Sequence, residues 1–312
     1  MPDDSLHHLP ARLDVLCAAD LCVDVILQGN VRPRFGQAEQ LINHYNIELG
    51  GSATIFAGQF ARLGGSAGIL GVIGQDLFGQ FVQQQLARLH LDLSRVRIDP
   101  NATTGAGFTL AENNDRAILT YSGTIDALDP SDLTDEHCTA CRHWHIASYF
   151  LLNRLRSHWT GWMSRLKKAG ITTSLDPNWS TDGNWSSVRE LLPLIDVFFA
   201  NENEAAAIAG CSDPNAAGHL LARSGPLVVI KQGDRGSTAF QNGHTYHAAV
   251  GDITSLRIVD TIGAGDCFDA GFLRAWKLGR PISDCLDLAT RCARASLGAP
   301  GGFRGQLREE IS

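Results

Sequence analysis

The sequence predicts an α/β fold of three layers: a central, mostly parallel sheet with helices on both faces, plus a small β lid. Three observations carry this. Short apolar runs alternate with stretches of helical period along most of the 312 residues. The apolar runs are unbroken, which is how strands buried on both faces of a parallel sheet read. Two stretches, 25–48 and 103–121, break the rhythm with Gly, Asn and Thr and only weak alternation, and read as antiparallel ribbon outside the main sheet.

Taken in order, an apolar strand spans 15–19, a helix 53–63, a strand 68–74 and a helix 78–89. Strands follow at 145–148, 172–175, 197–200 and 227–231, with polar residues at or just past their ends. Helices fall between them at 155–169, 188–192, 202–209 and 216–223, and two more are expected at 267–278 and 282–297. No internal repeat, low-complexity tract or long Pro/Gly linker divides the chain, so residues 1–312 read as one core with a discontinuous lid.

With 44% hydrophobic and 19% charged residues the chain can bury a large core. A net charge of −7 without a basic run argues against nucleic acid or an anionic membrane as partner. No window approaches the about 18 uninterrupted apolar residues of a membrane span. Residues 1–9, with His7-His8, lack the positive start and apolar run of a signal peptide. Eight cysteines in this length do not make a disulfide scaffold, and the expected compartment is the cytoplasm.

His137, Cys138, Cys141, His143 and His145 fall within nine residues and raise the question of zinc. A structural site needs four ligands converging on one tetrahedron. Here 143–147 reads as a buried strand, so His143 and His145 share one face and Cys141 lies out of reach. Core histidines are the preferred reading.

The most informative stretch is Asp260-Thr261-Ile262-Gly263-Ala264-Gly265-Asp266, which runs into a helix. Gly263, Ala264 and Gly265 are small enough for backbone N–H groups to approach an anion, and the helix start adds unpaired N–H groups and the positive end of its dipole. Asp266 then sets a carboxylate beside that hole. One role for it is general base, taking a proton from a hydroxyl while the N–H groups hold a phosphoryl group. The plain alternative is a helix start with Asp in its first turn. Other polar residues sit at strand ends: Asp20 and Asp24, Asp176-Pro177-Asn178, Asn201 and Glu204, then Lys231, Gly233, Asp234 and Gly236. In a parallel sheet the carboxyl ends of the strands form the ligand-binding rim, and all of these converge there.

At this point the chain resembles the ribokinase-like (PfkB) carbohydrate kinases over nearly its whole length. The residues that carry the likeness occur in the family's order: Gly50-Gly51-Ser52-Ala53 with Ala61-Arg62-Leu63-Gly64-Gly65, then 71–79, Asn201-Glu202-Asn203-Glu204, 231–236 and 260–266. The resemblance implies a ribokinase-like fold and use of ATP with Mg²⁺. It implies that Asp266 is the base and that Gly263, Ala264 and Gly265 form the anion hole. Asp24, Gly50 and Gly51 would hold acceptor hydroxyls from the lid side, with Ser52 and Ile55 beside them. Asn201 and Glu204 would organise Mg²⁺ through water, and Lys231, Gly233, Asp234 and Gly236 would lie along the nucleotide. Residues 289–302, including Thr290, would shape the adenine pocket, and Asp260 would help to bind a monovalent cation such as K⁺. In several relatives two lids clasp into a homodimer.

Departures from the family pattern bear on the acceptor. Ile55 stands where many sugar-kinase relatives place Asn, and Cys22 replaces a strand-end Asn, which argues against plain ribose. Ser52 stands where kinases of phosphorylated sugars often carry Lys. The Arg that keto-deoxy-acid kinases carry after Tyr is absent after Tyr121, and nearby Arg116 reads as a solvated turn residue. Thr290 replaces a frequent Asn near the adenine. Of Trp144, Trp179 and Trp185, any could stack on a ring, with core packing the better reading for Trp144. No Gly-x-x-x-x-Gly-Lys-Ser/Thr loop and no His-Arg-Asp with Asp-Phe-Gly set is present, which excludes Walker-type NTPases and protein kinases. The expected activity is ATP-dependent phosphorylation of a small neutral sugar. Alternatives are a nucleoside kinase of the same family or a catalytically weak sugar or nucleotide sensor.

Overall fold

The computed structural model describes residues 12–112, 115–180, 182–251 and 258–309. The reading of residues 1–9 lies outside them, as do two residues of the 103–121 stretch, 113–114. Thirteen strands form in chain order: β1 Val15–Ala18, β2 Cys22–Gln28, β3 His44–Gly50, β4 Ala67–Gly74, β5 Leu91–Asp99, β6 Gly105–Glu112 and β7 Asp115–Tyr121, then β8 His143–Ile146, β9 Thr172–Leu175, β10 Val197–Asn201, β11 Leu227–Lys231, β12 Ser237–Gln241 and β13 His244–Ala248. Nine of them make one sheet in the order β13-β12-β11-β10-β9-β8-β1-β4-β5. It is parallel from β5 to β11 and antiparallel at the β11–β12–β13 edge.

Strand period two sorts the core into two layers. Val15 and Cys17 join Phe56, Phe60, Phe199 and Phe272 on one side, while Leu16 and Ala18 join Trp144, Trp159 and Phe198 on the other. Helices Ser52–Arg62, Ala264–Lys277 and Ile282–Ser296 cover the first face, and Trp159–Lys168, Glu202–Ala209 and Pro214–Ala222 the second. A fully buried Phe or Leu in such a layer contributes roughly 1.5–3 kcal/mol.

The remaining strands make a four-stranded lid in the order β3-β2-β6-β7. The sequence reading expected antiparallel ribbon, and the β2–β3 and β6–β7 pairs are antiparallel. The central β2–β6 pair is instead parallel. The reason is topological: β2 follows β1 and β6 follows β5, and both core strands run the same way, so the lid strands that continue them do too.

Other differences are local. β5, β12 and β13 were not expected. β5 carries Asp and Arg residues at the sheet edge, where half exposure erases the unbroken apolar run. The β12–β13 hairpin turns on Asn242-Gly243, both at positive φ (52° and 81°), the geometry of a primed two-residue turn. The helix expected over 155–169 is two, Asn153–Arg156 and Trp159–Lys168. Among the described residues no helix is long and apolar enough to cross a membrane.

Candidate active site

The sheet order reverses between β1 and β8: from β1 the core continues outward to β4 on one side, and later to β8 on the other. Ligands bind at the carboxyl end of such a switch point. Asp20, just past β1, accepts from the Ser148 hydroxyl past β8 (2.5 Å) and from the backbone N–H groups of Ser52 (3.0 Å) and Ala53 (3.2 Å). It therefore caps the helix Ser52–Arg62, whose N-cap, Gly51, has no side chain to do so. Gly51 is obligatory there: its φ is 95°, and a Cβ would lie 2.5 Å from the Asp20 carbonyl oxygen. Ser148 (φ 52°) and Asn178 (φ 57°) both adopt left-handed backbone past β8 and β9, strain of the kind that clusters at functional rims. Asn178 joins the two sides, donating to Ser52 Oγ (3.2 Å) and accepting from the Ser148 N–H (2.8 Å).

The helix Ala264–Lys277 starts from Gly263, left-handed at φ 74°. A Cβ on Gly263 would press on Gly302 Cα at 2.8 Å, so packing alone requires a glycine there. Asp266 is buried in the first turn. Burial pushes its carboxyl well above the usual range and the Asp176 charge adds to this, while Lys231 and a hydrogen bond from Ser52 oppose it.

Below it lies a buried ionic cluster. Lys231 Nζ donates to Asp176 Oδ2 at 2.6 Å and to both Asp269 oxygens at 3.2 and 3.3 Å. Burial works against the ammonium, but Asp176 and Asp269 outweigh it and keep Lys231 charged. The two carboxyls shift in opposite directions. Asp176, also buried, is held below the usual range by Lys231, and burial pushes Asp269 well above it. The distances make Asp176 the closer partner of the ammonium, at 2.6 Å against 3.2 Å for Asp269. Burial and the Asp176 charge push Glu204 up to about 7.

Asn201 and Glu204 form a capping box: the Asn201 side chain accepts from the Glu204 N–H (2.9 Å) and Glu204 Oε2 accepts from the Asn201 N–H (2.8 Å). Sequence proximity made them neighbours, and helix capping already occupies the Asn201 oxygen and one Glu204 oxygen. Among the described residues no three His, Cys, Asp or Glu side chains converge as a metal cage. One carboxylate that keeps an oxygen free of the cap suits an ion holding most of its waters, such as Mg²⁺.

On the lid side, Asp24 lies between Gly50 and Gly107, where a Cβ on either glycine would come within 2.7 Å of its carboxylate. Burial and the Asp20 and Asp260 charges push Asp24 up to about 7, with Arg116 opposing. Arg116 corrects the sequence reading. It sits on β7, not in a solvated turn, and donates to Thr261 Oγ1 (3.0 Å), joining the lid to the 260–266 loop. Ile55 is 3% exposed and packs against Gly263 and Gly302. Asp260 spends both oxygens on backbone, accepting from Ile262 N–H (2.9 Å) and Gly301 N–H (3.0 Å).

A cavity of about 340 Å³ opens at the start of the helix Ala264–Lys277. Lys231, Thr261, Ala264 and Gly265 line its polar end, and Gly233, Asp234, Gly236 and Thr290 line it too. Val250, Ile258, Phe268, Ala293 and Leu297 give it an apolar wall suited to a flat base. The Thr290 hydroxyl is turned onto the Leu286 carbonyl of its own helix (2.8 Å). An apolar cavity lined also by small residues at a helix start and by a lysine fits a nucleotide.

The family model for pfkB carbohydrate kinases matches residues 13–306. The chain belongs to the pfkB carbohydrate kinase family. It is 28% identical to an ATP-dependent ribose-1-phosphate kinase of Halopiger xanaduensis, covering 96% of each chain. It is 32% identical to a fructokinase of Klebsiella pneumoniae over 72% of this chain and 75% of that one. It is 28% identical to a cytidine kinase of Thermococcus kodakarensis over 80% and 87%. The fold matches an E. coli structure described as a ribokinase II in complex with ATP and Mg²⁺, with a TM-score of 0.83 at 22% identity over 95% and 96% of the chains. The protein is thus an ATP-dependent kinase of sugars or nucleosides.

In this kinase the cysteine–histidine cluster is core. His143 bonds Thr172 Oγ1 (2.8 Å) and Ser174 Oγ (2.7 Å), and His145 bonds Ser174 Oγ (2.7 Å) and stacks on Phe56 at 3.9 Å. Burial holds His143 well below its usual pKa and His145 down to about 3, so both are neutral. Trp144 and Trp185 are buried, while Trp179, next to Asn178, is 58% exposed. Ser148, Asp269, Val250, Ile258 and Phe268 were not singled out from the sequence. Only Asp269 carried a signal, a second carboxylate three residues after Asp266 on a buried helix.

Proposed function

We propose that the kinase transfers the γ-phosphoryl group of ATP to a hydroxyl of a small neutral sugar, with Asp266 as general base. The observation that carries this is the place of Asp266. It lies in the first turn of the helix Ala264–Lys277, next to Ala264 and Gly265, which line the cavity, and shares a hydrogen bond with Ser52. Asp266 takes the hydroxyl proton as the oxygen bonds to phosphorus, and the bond to the β-phosphate oxygen breaks to release ADP. The Gly263, Ala264 and Gly265 N–H groups receive the charge of the moving phosphoryl group.

Lys231, Gly233, Asp234, Gly236 and Thr290 are assigned to ATP, Asn201 and Glu204 to Mg²⁺ and its waters, and Asp260 to a monovalent cation. Asp24, Gly50, Gly51 and Ser52 are assigned to the acceptor, under a lid drawn from 25–48 and 103–121. Ser52 supports a neutral acceptor because its hydroxyl is engaged with Asn178 and Asp266 and adds no positive charge. A nucleoside acceptor is the second reading, favoured by the exposed Trp179 indole beside Asn178 and by the likeness to a cytidine kinase. We also propose a homodimer formed through the lid.

The test is ADP release with Mg-ATP and K⁺ across neutral sugars, sugar phosphates, sugar acids and nucleosides, with Asp266→Asn as control. A single acceptor whose turnover falls by about 10²–10⁴ in the variant is expected. A variant that keeps full turnover, or a nucleoside or phosphorylated sugar as sole acceptor, would overturn the corresponding part of this reading.

A further inference from the structure

We propose that Asp269, together with Asp176, is a positioning residue that clamps the Lys231 ammonium beneath the anion hole, where it faces the phosphoryl group in transfer. This rests on the kinase reading above and goes beyond it. Lys231 ends β11 on the rim, while Asp269 lies one turn after Asp266 on a different element, the helix Ala264–Lys277. Residues three apart share a helix face, so one helix carries both the base and the clamp.

Asp269 is fully buried, and its two oxygens reach Nζ at 3.2 and 3.3 Å while Asp176 holds it at 2.6 Å. A Cβ built on Gly265 would lie 3.3 Å from Nζ, so the ammonium sits against the backbone of the anion hole, and Lys231 and Gly265 line the same cavity. A lysine ammonium rides on a flexible four-carbon stem. Two carboxyls on separate elements fix it before the reaction, so the charge that builds toward ADP meets a cation that need not move.

The test is a double-mutant cycle in the full-length enzyme, read as kcat and as KM for ATP, with wild type and Asp266→Asn alongside. Lys231→Met is expected to lower kcat by about 10²–10³. Asp269→Ala is expected to lower kcat by about tenfold, with KM for ATP within about threefold of wild type. Added to Lys231→Met, Asp269→Ala should cost nothing more, because its effect passes through the lysine. If Asp269→Ala fails to fold, the near-isosteric Asp269→Asn replaces it in the cycle. Losses that multiply in the double variant, or wild-type kcat in Lys231→Met, would overturn the clamp while the Asp266→Asn control leaves the kinase reading standing. A wild type that releases no ADP with any acceptor would overturn that reading and the clamp with it.

Discussion

His145 illustrates how single residues here are tuned by their surroundings. Its ring is stacked on Phe56 and bonded to Ser174, and burial lowers its pKa from 6.5 to about 3. The folded chain therefore refuses a proton that the unfolded chain accepts. The contribution of His145 to stability is complete above about pH 6.5 and is lost as the pH falls toward 3. His143, held still lower by burial, acts in the same direction. An NMR titration should find the His145 ring neutral at pH 5. A midpoint near 6.5 would contradict the packing described. Asp24 and Glu204 run the other way. Their pKa values of about 7 lie above the ordinary 3.8 and 4.5, so folding favours their protonated forms, and their contribution declines as the pH rises toward 7.

The lid and core elements meet at two polar latches. Arg116 of β7 bonds Thr261 of the 260–266 loop, and Glu48 of β3 pairs with Arg304 at 2.8 Å. The first reaches Thr261, which lines the cavity. A lid that excludes water should couple ATP cleavage to the sugar. Arg116→Ala is accordingly expected to raise KM for the acceptor by roughly tenfold or more, because it removes at least the charged bond to Thr261. KM for ATP should change far less. Comparing ADP released with phosphorylated product formed checks this, and unchanged coupling with unchanged KM would remove the latch from the mechanism.

At the scale of the whole molecule, the lid presents apolar side chains on its outer strands: Tyr45 on β3, and Ile118, Leu119 and Tyr121 on β7, all exposed. Tyr45, Leu119 and Tyr121 share one face of the lid by strand register, and apolar groups of this kind are usually covered. Light scattering after gel filtration should give twice the chain mass of 33.7 kDa, and Leu119→Asp should shift the population toward the monomer. A monomer at all accessible concentrations would sink the lid homodimer.

Much of this architecture was legible in the chain because its signals are local. Apolar runs predicted the core strands β1, β4, β10 and β11, and Gly263-Ala264-Gly265-Asp266 predicted a helix start with a carboxylate in its first turn. These features need only near neighbours in the chain, and sterics and periodicity write them into the residues. Only the tertiary structure decided the rest. Ile55 met Gly302, which packs on it from the far end of the chain. Arg116 became a latch because β6 and β7 carry it over Thr261. Lys231 met Asp269, 38 residues on, only once β11 and the helix Ala264–Lys277 had docked. The sequence alone thus determined the layers and the chemistry of the loop. Which charges face one another was decided by how distant segments pack, and no local pattern of residues encodes that.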